Sequence, residues 1–558
     1  MRMSGAQMVV RSLEELGVDT VFGLPGGTVI PLYDSLYDSP IRHILARHEQ
    51  GAAHGADGYA RASGRVGVCL ATSGPGATNL VTGIATANLD SVPLVALTGQ
   101  VATFAIGSDA FQEADILGAT LPLVKHSVQV RSAERIPEIL KGAFHIAATG
   151  RPGPVLVDIP LDVQRELGDY RMPGRVEFPG YHPEAVQDLS LLEEAAAAVR
   201  GAERPVIFAG GGIIRGRAWE ALARFAQAFQ IPVATSLLGK GAFPENHPLS
   251  LGMAGMHGRP EANHALTSAD LILAVGSRFS DRSTGKRDRF APLAKVVHLD
   301  RDPAEISKNI ESELWLVGEA TTLLDRLTEA LSALRPLPRK GWLKQIQGWK
   351  TQYPLPRPQG DGAVHPWQVL QAAFDATDGE ALVATEVGQN QMWAALHYPA
   401  IHPGRFLTSG GLGTMGYGLP AAMGAAVARP DLPVFCVAGD GSLLMNIQEL
   451  DTCARYGLPV KVLLLNNSCL GMVRQWQELF YDHRYSQTLY SRDPDFPKLA
   501  EALGGTGFSV DRPEEVRPAV DRALATPGPV VVDFRIPRDE KVLPMVPPGG
   551  AIDEMILE

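Results

Sequence analysis

The chain has little of several features that would place it in a specialised class of protein. Only four of its 558 residues are cysteine and no two of them form a CxxC pair, which argues against a disulfide framework. No apolar run approaches the roughly 18 residues that a membrane-spanning helix needs, and the first residues lack the apolar segment of a signal peptide. The net charge is −11 and there is no basic block. These absences predict a reduced, cytoplasmic protein with no membrane or nucleic-acid partner.

What the chain does have is a long alternation of strand-like and helix-like segments. A length of 558 residues exceeds one hydrophobic core and predicts about three domains of ordinary size. The alternation favours parallel sheets that are covered by helices. Two stretches rich in proline, glycine and charge, near 164–187 and 334–365, interrupt it and are predicted linkers. We therefore predict an α/β protein with three doubly wound parallel-sheet domains, near residues 1–165, 190–330 and 365–558.

A strand–helix–strand unit in the last third of the chain places oxygen ligands at the ends of both strands. The first apolar run, residues 434–438, leads to Asp440, and the second, residues 461–465, leads to Asn467. In open α/β sheets, ligands bind at the carboxyl ends of the strands. A carboxylate and an amide oxygen suit Mg²⁺ that is bridged to phosphate oxygens. A turn Asp and a capping Asn are the structural alternative, but the flanking Gly-Asp-Gly-Ser and Asn-Asn sequences favour a metal site.

Glu49 stands at a predicted strand-to-helix junction in the first domain. Residues 41–46 alternate like a strand, and a helix of small residues follows Glu49. The helix macrodipole alone also favours an acid at this place. A second strand, residues 66–72, runs into Ser-Gly-Pro-Gly at 73–76, a tight turn that needs glycine. Arg-His-Glu-Gln at 47–50 and this turn together are a stronger signal of a binding edge than either alone.

The predicted central domain begins with a strand that ends in three glycines. The strand, residues 205–209, leads into Gly210, Gly211 and Gly212, a turn that lets a backbone approach a ligand. The turn is not GxGxxG, and no acidic residue follows at the distance typical of nicotinamide sites. By itself the triple glycine is therefore a weak sign of nucleotide binding.

Taken together, these motifs resemble those of thiamine-diphosphate enzymes of the acetohydroxyacid synthase (acetolactate synthase) family. The resemblance implies that pyruvate is decarboxylated and that its two-carbon unit joins a second 2-keto acid, pyruvate or 2-ketobutyrate. The products are 2-acetolactate or 2-aceto-2-hydroxybutyrate, in branched-chain amino-acid biosynthesis. The implied cofactors are thiamine diphosphate, Mg²⁺ and FAD, the last without net redox chemistry. The implied assembly is a homodimer or homotetramer, to which a small regulatory subunit can bind.

The resemblance assigns roles to five side chains at the reacting centre. Glu49 matches the carboxylate that hydrogen-bonds the aminopyrimidine and activates the cofactor. Gln112 and Lys125 match positions that line the substrate channel. Arg282 matches the guanidinium that holds the carboxylate of the second 2-keto acid. Trp476 matches the indole that favours 2-ketobutyrate over pyruvate.

The resemblance also implies contacts to the bound groups. The implied metal ligands are Asp440, Asn467 and the main-chain carbonyl of Cys469, and the implied substrate contacts are Gly27 and Phe111. The implied thiamine diphosphate contacts are Gly388, Gln389, Asn390, Gly413, Met415, Gly439, Gly441 and Ser442. Met415 is expected to wedge between the two rings of the cofactor and bring its reacting atoms together. The implied flavin contacts are Gly210, Gly211, Gly212, Met256, His257, Arg278 and Asp300.

Three positions depart from the family pattern, and one of them is Ala102, where many family members have proline after Gly-Gln-Val. Ser280 replaces the first aspartate of the usual RFDDR segment, and Asn390 replaces the histidine of the usual GQHQM segment. An asparagine can still donate a hydrogen bond to a phosphate oxygen, although it cannot carry a positive charge.

Three other activities and a loss of activity remain open at this point. A FAD-independent catabolic acetolactate synthase is disfavoured by Arg282, by Trp476 and by the Gly-Met-His-Gly segment at 255–258. A pyruvate oxidase, with real flavin electron transfer, shares the architecture but lacks the Gln-Trp segment. A glyoxylate carboligase would lack the activating glutamate. A family member that has lost catalysis would bind cofactor without releasing CO₂ from pyruvate, and the presence of Glu49, Asp440 and Asn467 argues against it.

Overall fold

Three parallel sheets form the framework of the protein. The structure, a computed structural model, describes residues 2–183, 187–332 and 339–558, and so leaves out 184–186 and 333–338 at the two predicted linkers. Each sheet has six strands, neighbouring strands run parallel, and helices cover the faces. The predicted α/β class with three doubly wound sheets is confirmed, whereas the domain boundaries stay predictions. Among the described residues, no helix is long and apolar enough to cross a membrane.

The first sheet is formed by a segment whose two ends pair as short antiparallel strands, Arg2–Ser4 with Leu167–Asp169. Its strands in spatial order are Arg42–Leu45, Thr20–Gly23, Gly67–Ala71, Leu94–Gln100, Pro154–Pro160 and His126–Gln129. Its helices are Gly5–Glu15, Ile30–Tyr37, Glu49–Ser63, Pro75–Asn79, Val81–Leu89, Ile116–Thr120, Ile136–Ala148 and Leu161–Arg165. Both long inner strands are buried at every residue, as expected of a parallel sheet covered on both faces.

The second sheet lies in the predicted central domain. Its strands in spatial order are Ser250–Met253, Val233–Thr235, Pro205–Ala209, Leu271–Val275, Lys295–Asp300 and Leu314–Val317. Its helices are Leu192–Gly201, Gly211–Arg215, Trp219–Phe229, Pro260–Ser268, Asp281–Thr284 and Ala320–Ser332. The glycine turn after the strand Pro205–Ala209 therefore opens onto the carboxyl edge of this sheet.

The third sheet carries the predicted magnesium edge. Its strands in spatial order are Phe406–Leu407, Leu382–Thr385, Val434–Gly439, Val460–Asn466, Val530–Arg535 and Thr506–Val510. Its helices are Pro366–Ala376, Gln389–His397, Gly418–Ala428, Asp440–Leu443, Glu449–Arg455, Gly471–Phe480, Phe496–Ala502 and Val516–Ala525. The strands that lead to Asp440 and Asn467 are direct neighbours, so both side chains stand at one edge of the sheet.

A pair of helices joins the first and third domains. The helix Glu49–Ser63 packs on the helix Gly418–Ala428, and both contribute to a single apolar core. The approach is close because glycines meet at the contact: a Cβ atom on Gly424 would lie 1.9 Å from the carbonyl oxygen of Gly55. This packing brings Glu49, the first residue of its helix, next to the third domain.

The second predicted linker contains a helix, Lys340–Gln352, that packs on the second domain. The indole Nε1 of Trp342 donates to the carbonyl of Pro205 at 3.1 Å. The prediction of an aperiodic linker is wrong for this segment. Its apolar residues Trp342, Ile346 and Trp349 recur at helical spacing, and the flanking prolines obscured that pattern.

The last residues leave the third domain and complete the second. Ile552 is fully buried in the core of the second domain, and its carbonyl accepts the Asn263 amide at 2.9 Å. Met545 and Ile556 pair in an antiparallel bridge that folds this tail back on itself. The tail therefore ties the third domain to the second.

Candidate active site

Asp440 forms the centre of the predicted metal site. Its side chain is buried, and its two oxygens accept the backbone N–H groups of Gly441 at 2.8 Å and Cys469 at 3.2 Å. Burial raises the pKa of the Asp440 carboxyl to about 7, and the charge of Asp493 acts in the same direction. A bound cation would reverse this effect, so the carboxylate fits a metal ligand.

A chain of amides fixes the orientation of Asn467. The Gln389 amide donates to Gln475 at 2.9 Å and to the carbonyl of Glu540 at 3.0 Å, so its oxygen must be an acceptor. That oxygen accepts the Asn467 amide N–H at 2.9 Å. The Asn467 oxygen is therefore left for a cation, as its predicted role as a metal ligand requires.

The main chain at Cys469 supplies the third predicted ligand. Cys469 pairs with Leu489 in an isolated antiparallel bridge, whose hydrogen bonds run from the N–H groups of Leu470 and Tyr490. The Cys469 carbonyl takes no part in these bonds. In the described part of the chain, no cluster of three or more His, Cys, Asp and Glu could hold a metal. One carboxylate with two neutral oxygens suits an ion that shares its charge with a diphosphate.

Asn390 does not fit the predicted donation to a phosphate. Its Nδ2 donates to the carbonyls of Glu386 at 2.9 Å and Val437 at 3.0 Å, which occupies both amide hydrogens. Only the Oδ1 acceptor remains, on the side of Gly439. Asn390 therefore connects two neighbouring strands. The Ser442 hydroxyl donates to the Gly439 carbonyl at 3.2 Å and stabilises the turn that follows the second of these strands.

The loop that carries Met415 is held by a buried acid. Glu386 is fully buried, and its oxygens accept the N–H groups of Gly416 at 2.7 Å and Leu419 at 3.1 Å. Burial raises the pKa of this carboxyl to about 7. Met415 is half-buried beside these bonds, so the predicted wedge stands on a fixed backbone.

Glu49 lies at the carboxyl edge of the first sheet. The side chain is 6% exposed and begins the helix Glu49–Ser63. Its Oε2 accepts the Asn79 amide at 2.9 Å. Its Oε1 faces Gly76, where an added Cβ would lie 3.2 Å away. One oxygen is thus anchored, while the small residue opposite leaves room beside the other.

The four remaining predicted residues of the first domain separate into two groups. Phe111 is 88% exposed, Gly27 is exposed, and Gln112 packs under the turn at Gly74 on the same side of the domain. The Lys125 ammonium instead donates to the carbonyls of Ile146 and Thr149 and to the Tyr181 hydroxyl. It caps the C-terminal end of a helix, a structural role that does not support the predicted channel position.

A cavity of about 700 Å³ lies where the three domains meet. Predicted residues that line it are Gly211, Gly212, Met256, His257, Arg278, Arg282, Asp300, Gly388, Gly413 and Trp476. The first domain adds Leu89, Asp90, Ser91, Arg151 and Pro152. The cavity therefore brings most of the predicted flavin contacts together with two residues of the third domain's glycine turns.

The glycines at 210–212 serve packing more than ligand approach. A Cβ on Gly210 would lie 2.1 Å from the carbonyl oxygen of Gly276, and one on Gly212 would lie 2.6 Å from the Gly276 Cα. The Gly212 N–H donates to that carbonyl at 3.0 Å. The two strand-to-helix turns thus require glycine in order to touch each other, and Gly211 and Gly212 remain on the cavity wall.

The cavity wall is rich in charge of both signs. Arg215 and Arg278 are half-buried cations, and desolvation lowers the pKa of each below the usual arginine value, that of Arg215 to about 10. Arg151 pairs with Glu305 at 2.5 Å. Burial raises the pKa of Asp300 to about 6. A ligand that combines phosphate and hydroxyl groups would satisfy both kinds of side chain.

Arg282 and Trp476 meet across the boundary between the second and third domains. The guanidinium lies 5.7 Å from the centre of the indole ring, and the Arg282 side chain is 61% exposed. Met256 links this pair to the tail, because its N–H donates to the Arg282 carbonyl and its carbonyl accepts the Val546 N–H, both at 2.8 Å. The predicted carboxylate-binding residue and the predicted selectivity residue are therefore neighbours.

Three functional residues were missed by the sequence reasoning. Asn79 anchors Glu49, Glu386 fixes the Met415 loop, and Arg151 contributes a cation to the cavity. Asn79 ends the short helix that follows the Ser-Gly-Pro-Gly turn and could have been selected for that reason. Arg151 and Glu386 lack such a local signal, because their partners lie elsewhere in the chain.

Comparison with known proteins assigns the chain to a family. It matches the N-terminal TPP binding domain of thiamine pyrophosphate enzymes over residues 3–119 and their central domain over residues 192–327. It matches their C-terminal TPP binding domain over residues 386–534. These three regions contain Glu49, most of the cavity wall and the Asp440 edge, respectively.

Full-length relatives narrow the assignment. The acetolactate synthase of Mycobacterium bovis is 50% identical over 567 residues, which cover 99% of this chain and 91% of that protein. The acetolactate synthase large subunit of Haemophilus influenzae is 47% identical over 565 residues, covering 100% and 98%. The probable acetolactate synthase large subunit of Methanocaldococcus jannaschii is 47% identical over 563 residues, covering 99% and 95%. The chain belongs to the acetolactate synthase family of thiamine pyrophosphate enzymes.

Proposed function

We propose that the chain is the catalytic subunit of a biosynthetic acetolactate synthase. It removes CO₂ from pyruvate and joins the remaining two-carbon unit to the carbonyl carbon of a second 2-keto acid. Pyruvate as the second substrate gives 2-acetolactate, and 2-ketobutyrate gives 2-aceto-2-hydroxybutyrate. The observation that carries the proposal is the Arg282–Trp476 pair, which stands in the same cavity wall as Gly388 and Gly413 of the third domain.

The third domain is suited to hold thiamine diphosphate and Mg²⁺. Asp440, the Asn467 oxygen and the Cys469 carbonyl would hold the metal against the diphosphate, and Met415 would set the cofactor's shape. Bound thiamine diphosphate supplies the carbon nucleophile and accepts the electron pair that CO₂ leaves behind. The amide chain through Gln389 positions the Asn467 oxygen before the metal arrives.

Glu49 is the residue that we assign to proton transfer on the aminopyrimidine. Asn79 holds one carboxylate oxygen, which leaves the other to share a proton with a ring nitrogen. The buried position excludes water that would compete for that proton. Gln112 and Phe111 stand on the same side of the domain, next to the turn at Gly74.

A complete site requires a second copy of the chain. Among the described residues, those that line the cavity include Arg282 and Trp476 but neither Glu49 nor Asp440. Phe111 is largely exposed although it is a predicted substrate contact. A homodimer or homotetramer in which the first domain of each copy covers the third domain of the other would complete both sites.

The acceptor substrate is selected by two side chains. The Arg282 guanidinium can hold a carboxylate through two parallel hydrogen bonds. The Trp476 ring offers an apolar wall to the one methylene by which 2-ketobutyrate exceeds pyruvate. Such a contact is worth about 1–3 kcal/mol, or roughly a 5-fold to 150-fold preference.

FAD is our proposed occupant of the cavity. Its volume of about 700 Å³ is in the range of cofactor sites. Arg151, Arg215 and Arg278 would face the flavin diphosphate, and Asp300 would accept from a hydroxyl. Several relatives are named large subunits, which supports a small regulatory subunit as a partner. A cytoplasmic setting is a separate part of the proposal.

A competition assay tests the proposed function. Protein with thiamine diphosphate and Mg²⁺ receives pyruvate and 2-ketobutyrate together, with and without FAD, and both acetohydroxyacids are quantified. We expect a strong bias towards 2-aceto-2-hydroxybutyrate that is lost in Trp476→Leu. Acetolactate alone, without any effect of FAD, would instead indicate a catabolic enzyme. Acetaldehyde or peroxide in place of both acetohydroxyacids would contradict the proposal.

A further inference from the structure

The strand that leads to Glu49 is an edge strand whose outer side is covered by side chains of another domain. Arg42–Leu45 stands at the end of the first sheet and, among the described residues, pairs only with Thr20–Gly23. Its outer backbone groups would otherwise face a partner or water. The helix Glu449–Arg455 of the third domain lies along this side.

Three side chains of this helix and its end bind the edge strand and the turn after it. Tyr456 accepts the Leu45 N–H at 2.9 Å and donates to the His43 carbonyl at 3.1 Å. Thr452 is placed one turn earlier, and its hydroxyl is 3.3 Å from the Leu45 carbonyl. We call Glu449, Thr452 and Tyr456 the edge clamp.

Glu449 binds the residues immediately before Glu49. Its carboxylate accepts the N–H groups of Arg47 at 3.0 Å and His48 at 3.1 Å, and the Thr452 hydroxyl at 2.7 Å. The carboxylate is fully buried, and burial raises its pKa to about 7. Gly51 leaves space for it, since a Cβ there would lie 2.3 Å from the carboxylate oxygen.

We propose that Glu449 is a positioning residue that fixes the backbone of Glu49 and so sets the direction of the activating carboxylate. The proposal rests on the proposed function, in which Glu49 acts on the aminopyrimidine. Two backbone N–H groups bound by one carboxylate hold the turn in a single orientation, because a charge-assisted pair is stronger than neutral hydrogen bonds. A misplacement of Glu49 by even a small distance lowers the rate of proton transfer.

The matched pair for the test is Glu449→Gln and Asp451→Asn. The first keeps the size of the side chain but removes the charge that binds the two N–H groups. The second removes a charge from the same helix, but among the described residues the Asp451 carboxylate bonds only to the Arg47 side chain, and it is 38% exposed. Gly51→Ala is a third variant that displaces the Glu449 carboxylate without changing it.

Two measurements separate positioning from a general loss of structure. Amide hydrogen exchange of residues 45–50 is followed in the cofactor-free protein, and exchange of the C2 proton is followed on bound thiamine diphosphate. We expect Glu449→Gln and Gly51→Ala to accelerate the amide exchange and to slow C2 exchange by roughly tenfold to a hundredfold. The affinity for thiamine diphosphate with Mg²⁺ should change little, and Glu449→Asp should restore part of the C2 exchange.

The proposal is overturned if Glu449→Gln has the same rates of amide exchange and of C2 proton exchange as Asp451→Asn. If Glu449→Gln does not fold, Gly51→Ala and Thr452→Val decide by the same comparison. Glu49→Gln is measured in parallel, because full turnover in that variant would contradict the proposed function instead. If Glu49→Gln keeps full turnover, the amide exchange of residues 45–50 in Glu449→Gln still tests whether Glu449 fixes this backbone. Unchanged exchange would contradict that role, and faster exchange would support it.

Discussion

Single buried carboxylates organise the candidate site. Glu386 accepts two backbone N–H groups on either side of Tyr417, Glu449 accepts two before Glu49, and Asp440 accepts two at the predicted metal site. Each acid is fixed by main-chain donors, which keep their position better than flexible side chains do. Their burial raises all three pKa values to about 7. The stability of the fold therefore depends on the protonation of each carboxyl.

Glu386→Gln should destabilise the protein and loosen the Met415 loop. The amide retains one acceptor oxygen but turns an NH₂ group towards a backbone N–H, which leaves a buried donor unsatisfied. We expect a loss of about 1–3 kcal/mol in the free energy of unfolding, measured by urea denaturation. Glu514→Gln, at an exposed position, is the control and should be neutral. Equal stability of the two variants would refute the role of Glu386.

Asp440 should make the stability of the metal-free protein fall as the pH rises. The folded protein keeps a proton on this carboxyl up to about pH 7, while the unfolded chain loses it near pH 4. The unfolded state therefore binds fewer protons between these values, and the free energy of unfolding decreases with pH in that window. The check is the urea midpoint at several pH values without metal.

Asp440→Asn provides the matched comparison for this pH dependence. Its midpoint should fall less between about pH 4 and pH 7 than that of the unchanged protein. Mg²⁺ with thiamine diphosphate should make the urea midpoint of the unchanged protein fall less steeply with pH, because a ligated carboxylate is ionised in the folded state. It should have no such effect on Asp440→Asn. Parallel pH curves for the two proteins would show that another group titrates.

At the scale of elements, the strands were more predictable than the contacts between them. The runs that end at Asp440 and Asn467 could be identified because buried parallel strands are continuous apolar segments with loops at fixed ends. The helix Lys340–Gln352 was missed because prolines on both sides hid its period. The bond from Arg47 to Glu449 spans 402 residues, and no local pattern indicates it.

The predicted site residues show the same difference between what a local pattern indicates and what contacts between elements decide. The residue types at Glu49, Arg282 and Trp476 follow from motifs, and the structure adds that Arg282 and Trp476 touch. The hydrogen bonds of Lys125 and Asn390 depend on carbonyls from other elements. Sequence patterns identify a residue's chemistry but not which of its hydrogen bonds the folded backbone has already taken.

The tail provides a prediction at the element scale. Ile552→Ala should lower the free energy of unfolding by about 2–5 kcal/mol, because it leaves a void in the second domain's core. Leu557→Ala, at a half-buried position, should have a smaller effect. Thermal unfolding followed by tryptophan fluorescence compares the two variants. If they are equally stable, the tail does not contribute to that core.

At the scale of the whole molecule, the proposed pairing of Glu49 from one copy with Asp440 from the other predicts complementation. Glu49→Gln and Asp440→Asn proteins, each with low activity, are dissociated, mixed and reassociated. A mixed dimer has one of its two sites with both residues intact. Because random pairing makes about half of the dimers mixed, roughly a quarter of the activity of the unchanged protein should return. Mixing either variant with itself is the control. No recovery would mean that each chain builds its own site.

The position of Ile552 also affects the order in which the chain can fold during synthesis. The second domain's core includes Val206 and Ile346, yet it is completed by a residue translated more than 200 positions after Ile346. At about 5–20 residues per second, the ribosome needs on the order of 10–40 s to supply that residue. A nascent second domain therefore exposes an apolar groove for this interval, and a chaperone that binds apolar segments would find it there.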